Sequence, residues 1–403
     1  IIHCKGNLNA LAGVSGYGGG NSPKGAVYMN EDESSFYIDG DINIDGNSDS
    51  RVDGSFKLNY GKMFVKGNVI CNSIHAVEGN KAILVLNGSE PQSLGAFPIY
   101  NLEIDNPLGI VLESDISIYG NLNTNDNPIK QNGYSIRLNT NSQIYGNNHF
   151  NSVFVDSSCS LVSNLYCESL VMNNSAKATL TIPEKIKLTV LGDLEITYMN
   201  TVKNYGELEV IGNLSLRKEG GSGWGDTKFY NYNITRVFGN IVGGSYSYIY
   251  MENEHSVLSA KGDINLASNG YCKVTSGTTI LSGDEKQSIT NYNCPTFIIE
   301  NESKLGVAFN SSISPSVLFD HKGNNFTLSN GGTFVDYDGD GIKDNVDPEP
   351  TVGNPCVLYF ESKDTDRGSV SIDMIETVGG TKITITATPT FKYDFANRIF
   401  RHY

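Results

Sequence analysis

The stretch Leu188-Thr-Val-Leu-Gly192-Asp-Leu-Glu-Ile196 holds two short apolar alternations that meet at a Gly-Asp pair. The same pattern returns 20 residues later as Leu208-Glu-Val-Ile-Gly212-Asn-Leu-Ser-Leu216. Residues i and i+2 of an extended strand share one face, so each copy predicts two half-buried strands. Glycine accepts a positive φ without a Cβ clash, and Asp or Asn hydrogen-bonds its own backbone. We therefore expect a corner between the two strands.

Further copies of this pattern run through most of the chain. Counted from Gly6, the corner glycines are separated by 34, 27, 53, 72, 20, 27 and 23 residues; they are Gly6, Gly40, Gly67, Gly120, Gly192, Gly212, Gly239 and Gly262. The two longest gaps are close to two and three times the shorter ones. A unit of 20–27 residues with two strands predicts one coil of a parallel β-solenoid in an all-β chain. An antiparallel sandwich array is the alternative, but it does not require this fixed recurrence.

A second, longer repeat supports the solenoid. The string Leu86-Asn-Gly-Ser-Glu-Pro-Gln92-Ser-Leu94 matches Leu281-Ser-Gly-Asp-Glu-Lys-Gln287-Ser-Ile289, and similar tracts follow each string. These sequences resemble the coils of large bacterial surface β-helix proteins, including adhesin-like stalks, over most of residues 1–333. The resemblance implies a secreted protein at the bacterial cell surface with a structural or adhesive role.

Composition excludes a nucleic-acid binder, and the absence of a long apolar run argues against membrane insertion. The chain has 29 Lys+Arg and 44 Asp+Glu, a formal charge of −15, so a nucleic-acid binder with a basic groove is excluded. No apolar run approaches the ~20 residues of a membrane-spanning helix, so we expect no membrane insertion within this segment. Ile1 is not an initiator and no secretory leader follows it, so we expect a segment of a longer chain.

Near residue 334 the repeat pattern gives way to an acidic motif. In Asp336-Tyr-Asp338-Gly-Asp340-Gly-Ile342-Lys-Asp344-Asn-Val-Asp347, carboxylates fall at positions 1, 3, 5, 9 and 12, with Gly at position 6. This is the oxygen-ligand spacing of a Ca²⁺ loop, to which a backbone carbonyl contributes at position 7. The motif resembles a thrombospondin type 3 calcium repeat. The predicted ligands are Asp336, Asp338, Asp340, Ile342, Asp344 and Asp347; the alternative is a flexible spacer.

These signals divide the chain into three predicted parts. Residues 1–333 form the β-solenoid, residues 334–351 the calcium-binding linker, and residues 352–403 a small β-rich domain. The last part contains Gly368-Ser-Val-Ser-Ile372 and the Ile-Thr-Ala-Thr-Pro string that ends at Pro389. It resembles the small β-repeat of internalin-type surface proteins, which implies a role in spacing or contact.

One departure from the repeat suggests a ligand contact. Residues 217–234 read as an insertion that holds the only tryptophan, Trp224, flanked by glycines and followed by Phe229, Tyr230 and Tyr232. An aromatic ring in a projecting loop can stack on a sugar or anchor a protein partner, so these four residues are the candidate ligand contacts. A second cluster at Tyr246, Tyr248 and Tyr250 is expected one coil onward. The alternative is that Trp224 folds back over the flank of the solenoid.

No catalytic residue is assigned. The six histidines are scattered singly, and the sequence contains neither His-Glu-x-x-His nor Gly-x-Ser-x-Gly. Among seven cysteines, Cys71 falls on an inward position of the repeat. Cys272 and Cys294 are expected near one coil, either as stacked thiols or as a disulfide.

We expect a stalk that binds a host or environmental glycan or surface protein. The alternative is a polysaccharide lyase or glycoside hydrolase, because β-helices also carry such enzymes.

Overall fold

A computed structural model of the chain describes 17 segments. These are residues 1–11, 27–45, 56–71, 77–79, 81–97, 99–139, 142–146, 148–172, 177–197, 199–216, 226–268, 270–320, 326–329, 355–357, 368–372, 376–378 and 385–389. In these segments the chain forms 44 β-strands and no helix. The described part therefore has no helix that is long and apolar enough to cross a membrane.

The first strands are β1 (Ile2–Cys4), β2 (Leu8–Leu11), β3 (Val27–Met29), β4 (Ser35–Ile38), β5 (Ile42–Asp45), β6 (Phe56–Leu58), β7 (Lys62–Val65), β8 (Val69–Cys71), β9 (Val77–Gly79), β10 (Ile83–Leu86), β11 (Gln92–Leu94), β12 (Asn101–Ile104), β13 (Ile110–Leu112), β14 (Ile116–Ile118) and β15 (Asn121–Asn123). The next are β16 (Ile129–Lys130), β17 (Ile136–Leu138), β18 (Gln143–Tyr145), β19 (Asn148–Val155), β20 (Cys159–Ser160), β21 (Leu165–Met172), β22 (Thr179–Ile182), β23 (Lys187–Val190), β24 (Leu194–Ile196), β25 (Thr201–Asn204), β26 (Glu207–Val210), β27 (Leu214–Leu216), β28 (Thr227–Asn231), β29 (Ile234–Val237) and β30 (Ile241–Gly243). The last are β31 (Ser247–Met251), β32 (Val257–Ala260), β33 (Ile264–Leu266), β34 (Tyr271–Val274), β35 (Thr278–Leu281), β36 (Gln287–Thr290), β37 (Thr296–Ile299), β38 (Val307–Phe309), β39 (Val317–Asp320), β40 (Phe326–Leu328), β41 (Pro355–Val357), β42 (Gly368–Ile372), β43 (Glu376–Val378) and β44 (Ile385–Pro389).

Strands β1 to β40 build a parallel β-solenoid, which confirms the predicted fold class. Each strand pairs in parallel with the equivalent strand one turn later, so that Ile2 lies beside Phe36 and Leu84 beside Leu102, steps of 34 and 18 residues. The longest face stacks 11 strands, one per turn: β14, β17, β19, β21, β24, β27, β30, β33, β36, β38 and β40. Strands β41 to β44 instead pair antiparallel, β41 with β43 and β42 with β44.

The core is one continuous apolar column inside the coils. Alternate residues of the repeat point inward as predicted: Leu188 and Val190 of one coil, and Leu208 and Val210 of the next, have no solvent exposure. The residues between them are half-buried on the outer face. Each coil therefore buries one row of side chains against the rows above and below it, which is the main source of stability in such a fold.

The corner glycines serve a different purpose from the predicted one. They do not adopt positive φ, which among the described glycines occurs elsewhere, as at Gly277 (φ 85°). Instead the backbone of successive corners runs too close for a side chain: a Cβ on Gly239 would lie 2.5 Å from the carbonyl oxygen of Gly212. In the same column the N–H of Gly239 donates to that carbonyl at 3.0 Å. Glycine is required here for close approach between coils.

The Asp or Asn beside each glycine also acts between coils rather than on its own backbone. Asp193 Oδ1 accepts from the N–H of Asn213 at 2.7 Å, and Asn213 Oδ1 accepts from Asn240 at 2.8 Å. Asn240 and Asp263 continue this ladder to Ser288, at 2.8 and 2.7 Å. Each corner therefore satisfies a backbone donor of the following turn, and the Gly-Asp/Asn pair works as a clamp between coils.

The cysteines add to the core. Cys71, Cys159, Cys167 and Cys294 are buried, and no disulfide joins the six cysteines whose side chains the structure describes. Cys272 donates to the carbonyl oxygen of Asn293 at 3.1 Å. Burial raises the pKa of Cys159, Cys167 and Cys272 to about 12 each, so these thiols stay protonated at neutral pH.

Candidate functional site

The outer face of β25, β28 and β31 has the most conspicuous surface chemistry of the described chain. We call it the tyrosine face. Parallel pairing places its outward side chains in three columns that run from turn to turn: Thr201, Lys228 and Tyr248; Lys203, Tyr230, Tyr250 and Lys273; and Tyr205, Tyr232 and Glu252. The predicted second tyrosine cluster does lie one coil after Tyr230, as the pairing of Tyr230 with Tyr250 shows.

The rings of this face stack along the axis of the solenoid. Tyr205 and Tyr232 have ring centroids 4.6 Å apart at 6° between planes, and Tyr230 and Tyr250 are 4.4 Å apart at 9°. Tyr230 and Tyr232 connect the two pairs at 5.9 Å. In each of these two pairs, one face of each ring is covered by the other ring, so a ligand can reach only the opposite face.

Buried asparagines fix the corner from which Tyr205 and Tyr232 leave the sheet. Each of these tyrosines follows a fully buried asparagine, Asn204 or Asn231, and the Asn204 amide donates to Asn231 Oδ1 at 3.2 Å. Asn231 Nδ2 in turn donates to the carbonyl of Val257 at 2.9 Å. Leaving a buried amide N–H without a hydrogen-bond acceptor destabilises the folded state. The bonds donated by Asn204 and Asn231 therefore hold the corner in one conformation and the two rings in register.

A groove opens beside the last ring of the third column. It has a volume of about 470 Å³ and is lined by Tyr232, Glu252, Asn253, Glu254 and Ser276. Tyr205 covers one face of the Tyr232 ring, the position one turn later holds Glu252, and Tyr232 forms one wall of the groove. The site combines one aromatic ring with two carboxylates, one amide and one hydroxyl.

The charges around the groove are partly compensated. Glu252 forms an ion pair with Lys273 at 2.6 Å. The side chain of Glu254 is 77% exposed, with its carboxylate 3.5 Å from His255. The mouth of the groove therefore keeps an accessible carboxylate that favours neutral or cationic ligands over anionic ones.

Burial and neighbouring groups hold the hydroxyls of Tyr232, Tyr248 and Tyr250 in the neutral form. Burial raises the pKa of Tyr250 to about 12, with further contributions from Tyr230 and Asp226. The pKa of Tyr232 is raised by burial and by Tyr205, and that of Tyr248 by burial and by Asp226. At neutral pH these phenols are hydrogen-bond donors and not phenolates.

The structure separates the predicted ligand contacts. Tyr230 and Tyr232 lie on the outer surface, but Phe229 is completely buried and packs in the core, because it occupies an inward position of β28. Trp224 lies outside the described residues. The predicted insertion is also shorter than 217–234, since β28 and β29 are regular strands of the solenoid.

Sequence reasoning missed Tyr205 and the polar rim of the groove. A usable signal existed for Tyr205: the dipeptide Asn-Tyr occurs at 204–205 and again at 231–232, 27 residues apart, which is also the separation of Gly212 and Gly239. For the rim residues Glu252, Asn253 and Ser276 no such signal exists, because they converge only when two coils are stacked.

The predicted calcium ligands Asp336, Asp338, Asp340, Ile342, Asp344 and Asp347 all lie outside the described residues. Within the described ranges, no group of three or more His, Cys, Asp or Glu side chains is arranged to hold a metal ion. Comparison with protein-family models, with curated proteins and with solved structures found no match.

Proposed function

We propose that this protein is a β-solenoid stalk that binds carbohydrate in the groove beside Tyr232. The single observation that carries the proposal is the groove itself, in which an aromatic ring lies beside carboxylate, amide and hydroxyl groups. A pyranose presents C–H bonds on one face and hydroxyls around its edge. The ring of Tyr232 suits the first, and the oxygens of Glu252 and Glu254 accept hydrogen bonds from the second.

The negative charge of the groove limits which sugars can bind there. Glu254 is open to solvent and Glu252 is shared with Lys273, so a uronic acid would meet a carboxylate without a cation reserved for it. Neutral sugars and protonated amino sugars avoid this repulsion. The proposed ligand is therefore a neutral or amino-sugar glycan and not an acidic polysaccharide.

The proposal extends to location and to the C-terminal linker. A regular solenoid with smooth faces suits a spacer that holds a binding site away from its anchor, and the repeat resembles the coils of bacterial surface stalks. We propose an extracellular location on that resemblance. The spacing of Asp336, Asp338, Asp340, Asp344 and Asp347 supports a structural Ca²⁺ site in the linker.

A series of tetrasaccharides with different charges tests the proposal. The probes are cellotetraose (neutral), a chitosan tetramer (cationic) and tetragalacturonate (anionic), each titrated by calorimetry while reducing ends are assayed in the same samples. We expect binding of the neutral or cationic probe, no binding of the anionic probe and no new reducing ends. Release of reducing ends would favour the polysaccharide-active alternative, and binding of tetragalacturonate alone would contradict the proposed site.

A further inference from the structure

Tyr230 and Tyr250 form a second chemical feature of the tyrosine face, separate from the groove. They occupy equivalent positions on adjacent coils, paired in register by β28 and β31. Their ring centroids are 4.4 Å apart, closer than those of Tyr205 and Tyr232, and both side chains are half-buried. Two phenols are therefore held side by side within reach of solvent.

From this geometry we infer that Tyr230 and Tyr250 are a site of oxidative cross-linking, at which a peroxide-dependent one-electron oxidant joins the two rings as dityrosine. In a biaryl, the ring centres are separated by one carbon–carbon bond plus two ring radii. That separation is close to the 4.4 Å already present. The rings then need only turn from a stacked to an edge-on arrangement, and χ2 of tyrosine is a soft torsion.

The chemistry balances with hydrogen peroxide and a haem peroxidase. Each phenol loses one electron and its O–H proton to give a phenoxyl radical, and one peroxide takes two electrons and two protons to become two waters. The radicals couple through their ortho carbons, forming one C–C bond. The hydrogen on each coupled carbon then returns to the phenol oxygen and restores aromaticity. The linked pair has lost two hydrogens in total.

The surroundings of the pair favour this step. Burial raises the pKa of Tyr250, so its oxidation requires a proton acceptor nearby, and the carboxylates of Asp226 and Glu252 are close enough to act on Tyr250 electrostatically. The neighbouring Tyr248 lies 6.1 Å from Tyr250, too far for the same coupling without a larger movement. The backbone ladder between β28 and β31 keeps the two reacting rings aligned, so coupling within one molecule competes well with coupling between molecules.

Such a bond would fasten two neighbouring coils covalently on the face that carries the groove. A cross-link removes conformations from the unfolded chain, so the linked coils would resist opening. This inference does not depend on carbohydrate binding, because neither ring lines the groove.

The sequence allows a direct test on the full chain. Trypsin cleaves after Lys228, Arg236 and Lys261, so Tyr230 and Tyr250 fall in the separate peptides 229–236 and 237–261. The protein is treated with a haem peroxidase and hydrogen peroxide, folded or in concentrated urea, and digested. Mass spectrometry then quantifies the joined peptide pair whose mass is the sum of both peptides minus two hydrogens.

Matched variants assign the bond to its residues. We expect the joined pair from the folded protein, its loss in Tyr230→Phe and in Tyr250→Phe, and its retention in Tyr232→Phe and Tyr248→Phe. Circular dichroism of each variant verifies the fold, and removing one outward hydroxyl leaves the core unchanged. Three outcomes would overturn the inference: absence of the joined pair, equal yield in urea, or persistence in either of the first two variants.

Discussion

The side-chain amide of Asn301 donates a hydrogen bond of 2.8 Å to Oε1 of Gln287, and both side chains are buried. The pair Asn106 and Gln92, 195 residues earlier, makes the same contact at 3.0 Å. In each copy the glutamine also accepts from a glycine N–H four residues before it and donates to two carbonyls of the preceding coil. The long sequence repeat is therefore a repeated polar clamp at one corner of the solenoid.

Removing this clamp is expected to destabilise the coils that it joins. Gln287→Met keeps the side-chain size but removes the hydrogen bonds to the Gly283 N–H and to the carbonyls of Ala260 and Gly262. The Ala260 carbonyl keeps a second bond from the Ser282 N–H, so the losses fall on Gly283 and Gly262. We expect a loss of about 2–4 kcal/mol in the free energy of unfolding, because buried polar groups are left unsatisfied. Urea denaturation measures it. Lys286→Met, at an exposed position, is the control and should change stability by less than ~0.5 kcal/mol.

The close approach of successive corners predicts that a side chain at Gly239 destabilises the protein. In Gly239→Ala the new Cβ would lie 2.5 Å from the carbonyl oxygen of Gly212, so the two coils must separate locally. We expect a destabilisation of about 1–3 kcal/mol, typical of an overpacked site. Gly6→Ala is the matched control, since a Cβ there meets nothing within 4 Å. Equal stability of the two variants would show that the corner tolerates a side chain.

The tyrosine face predicts a loss of stability at high pH. The pKa of Tyr250 is raised from 10.0 to about 12 in the folded protein. The folded state therefore retains this proton at pH values where the unfolded chain has lost it, so stability is intact below pH 10 and falls as the pH rises toward 12. In Tyr250→Phe this part of the decline should disappear. Thermal melts between pH 8 and 12 measure the effect, and an unchanged slope in the variant would exclude Tyr250 as its source.

The acidic linker is expected to be protected from protease when it binds Ca²⁺. Five carboxylates between Asp336 and Asp347 repel one another, and six to eight oxygen ligands suit Ca²⁺ better than Mg²⁺. We expect Ca²⁺ to protect residues 334–351 from protease, and both chelation and Asp340→Ala to remove that protection. Limited proteolysis followed by mass spectrometry locates the cuts. An identical digestion pattern with and without chelator would argue for a plain spacer.

The sequence predicted the fold well because the relevant signal is local and repeated. Alternation within nine residues defines which side chains face inward, and Leu188, Val190, Leu208 and Val210 are buried as expected. The recurrence of Gly-Asp and Gly-Asn located the corners correctly. The physical reason for those corners was wrong, however, since contacts between Gly212 and Gly239 belong to the stacking of coils and have no signature in one copy.

The candidate site was only partly predictable for the same reason. Tyr230 and Tyr232 stood out by composition, but Phe229 has the same aromatic character and differs only in its position on the alternation of β28. Applying that alternation through residues 227–231 would have assigned Phe229 to the core. The groove depends on side chains from three successive coils, Tyr232, Glu252 and Ser276 among them, and their proximity follows from the pairing registers of β28, β31 and β34.

The most direct measurement is calorimetric titration of the neutral and cationic tetrasaccharides into two tyrosine variants. Tyr232→Ala removes the aromatic face of the groove, whereas Tyr166→Ala removes a tyrosine that is 37% exposed and packs edge-on against His149, away from it. We predict at least a tenfold loss of affinity in Tyr232→Ala, about 1.4 kcal/mol, and wild-type affinity in Tyr166→Ala. Wild-type affinity in Tyr232→Ala, or no binding by the unmodified protein, would contradict the assignment of this groove as a carbohydrate site.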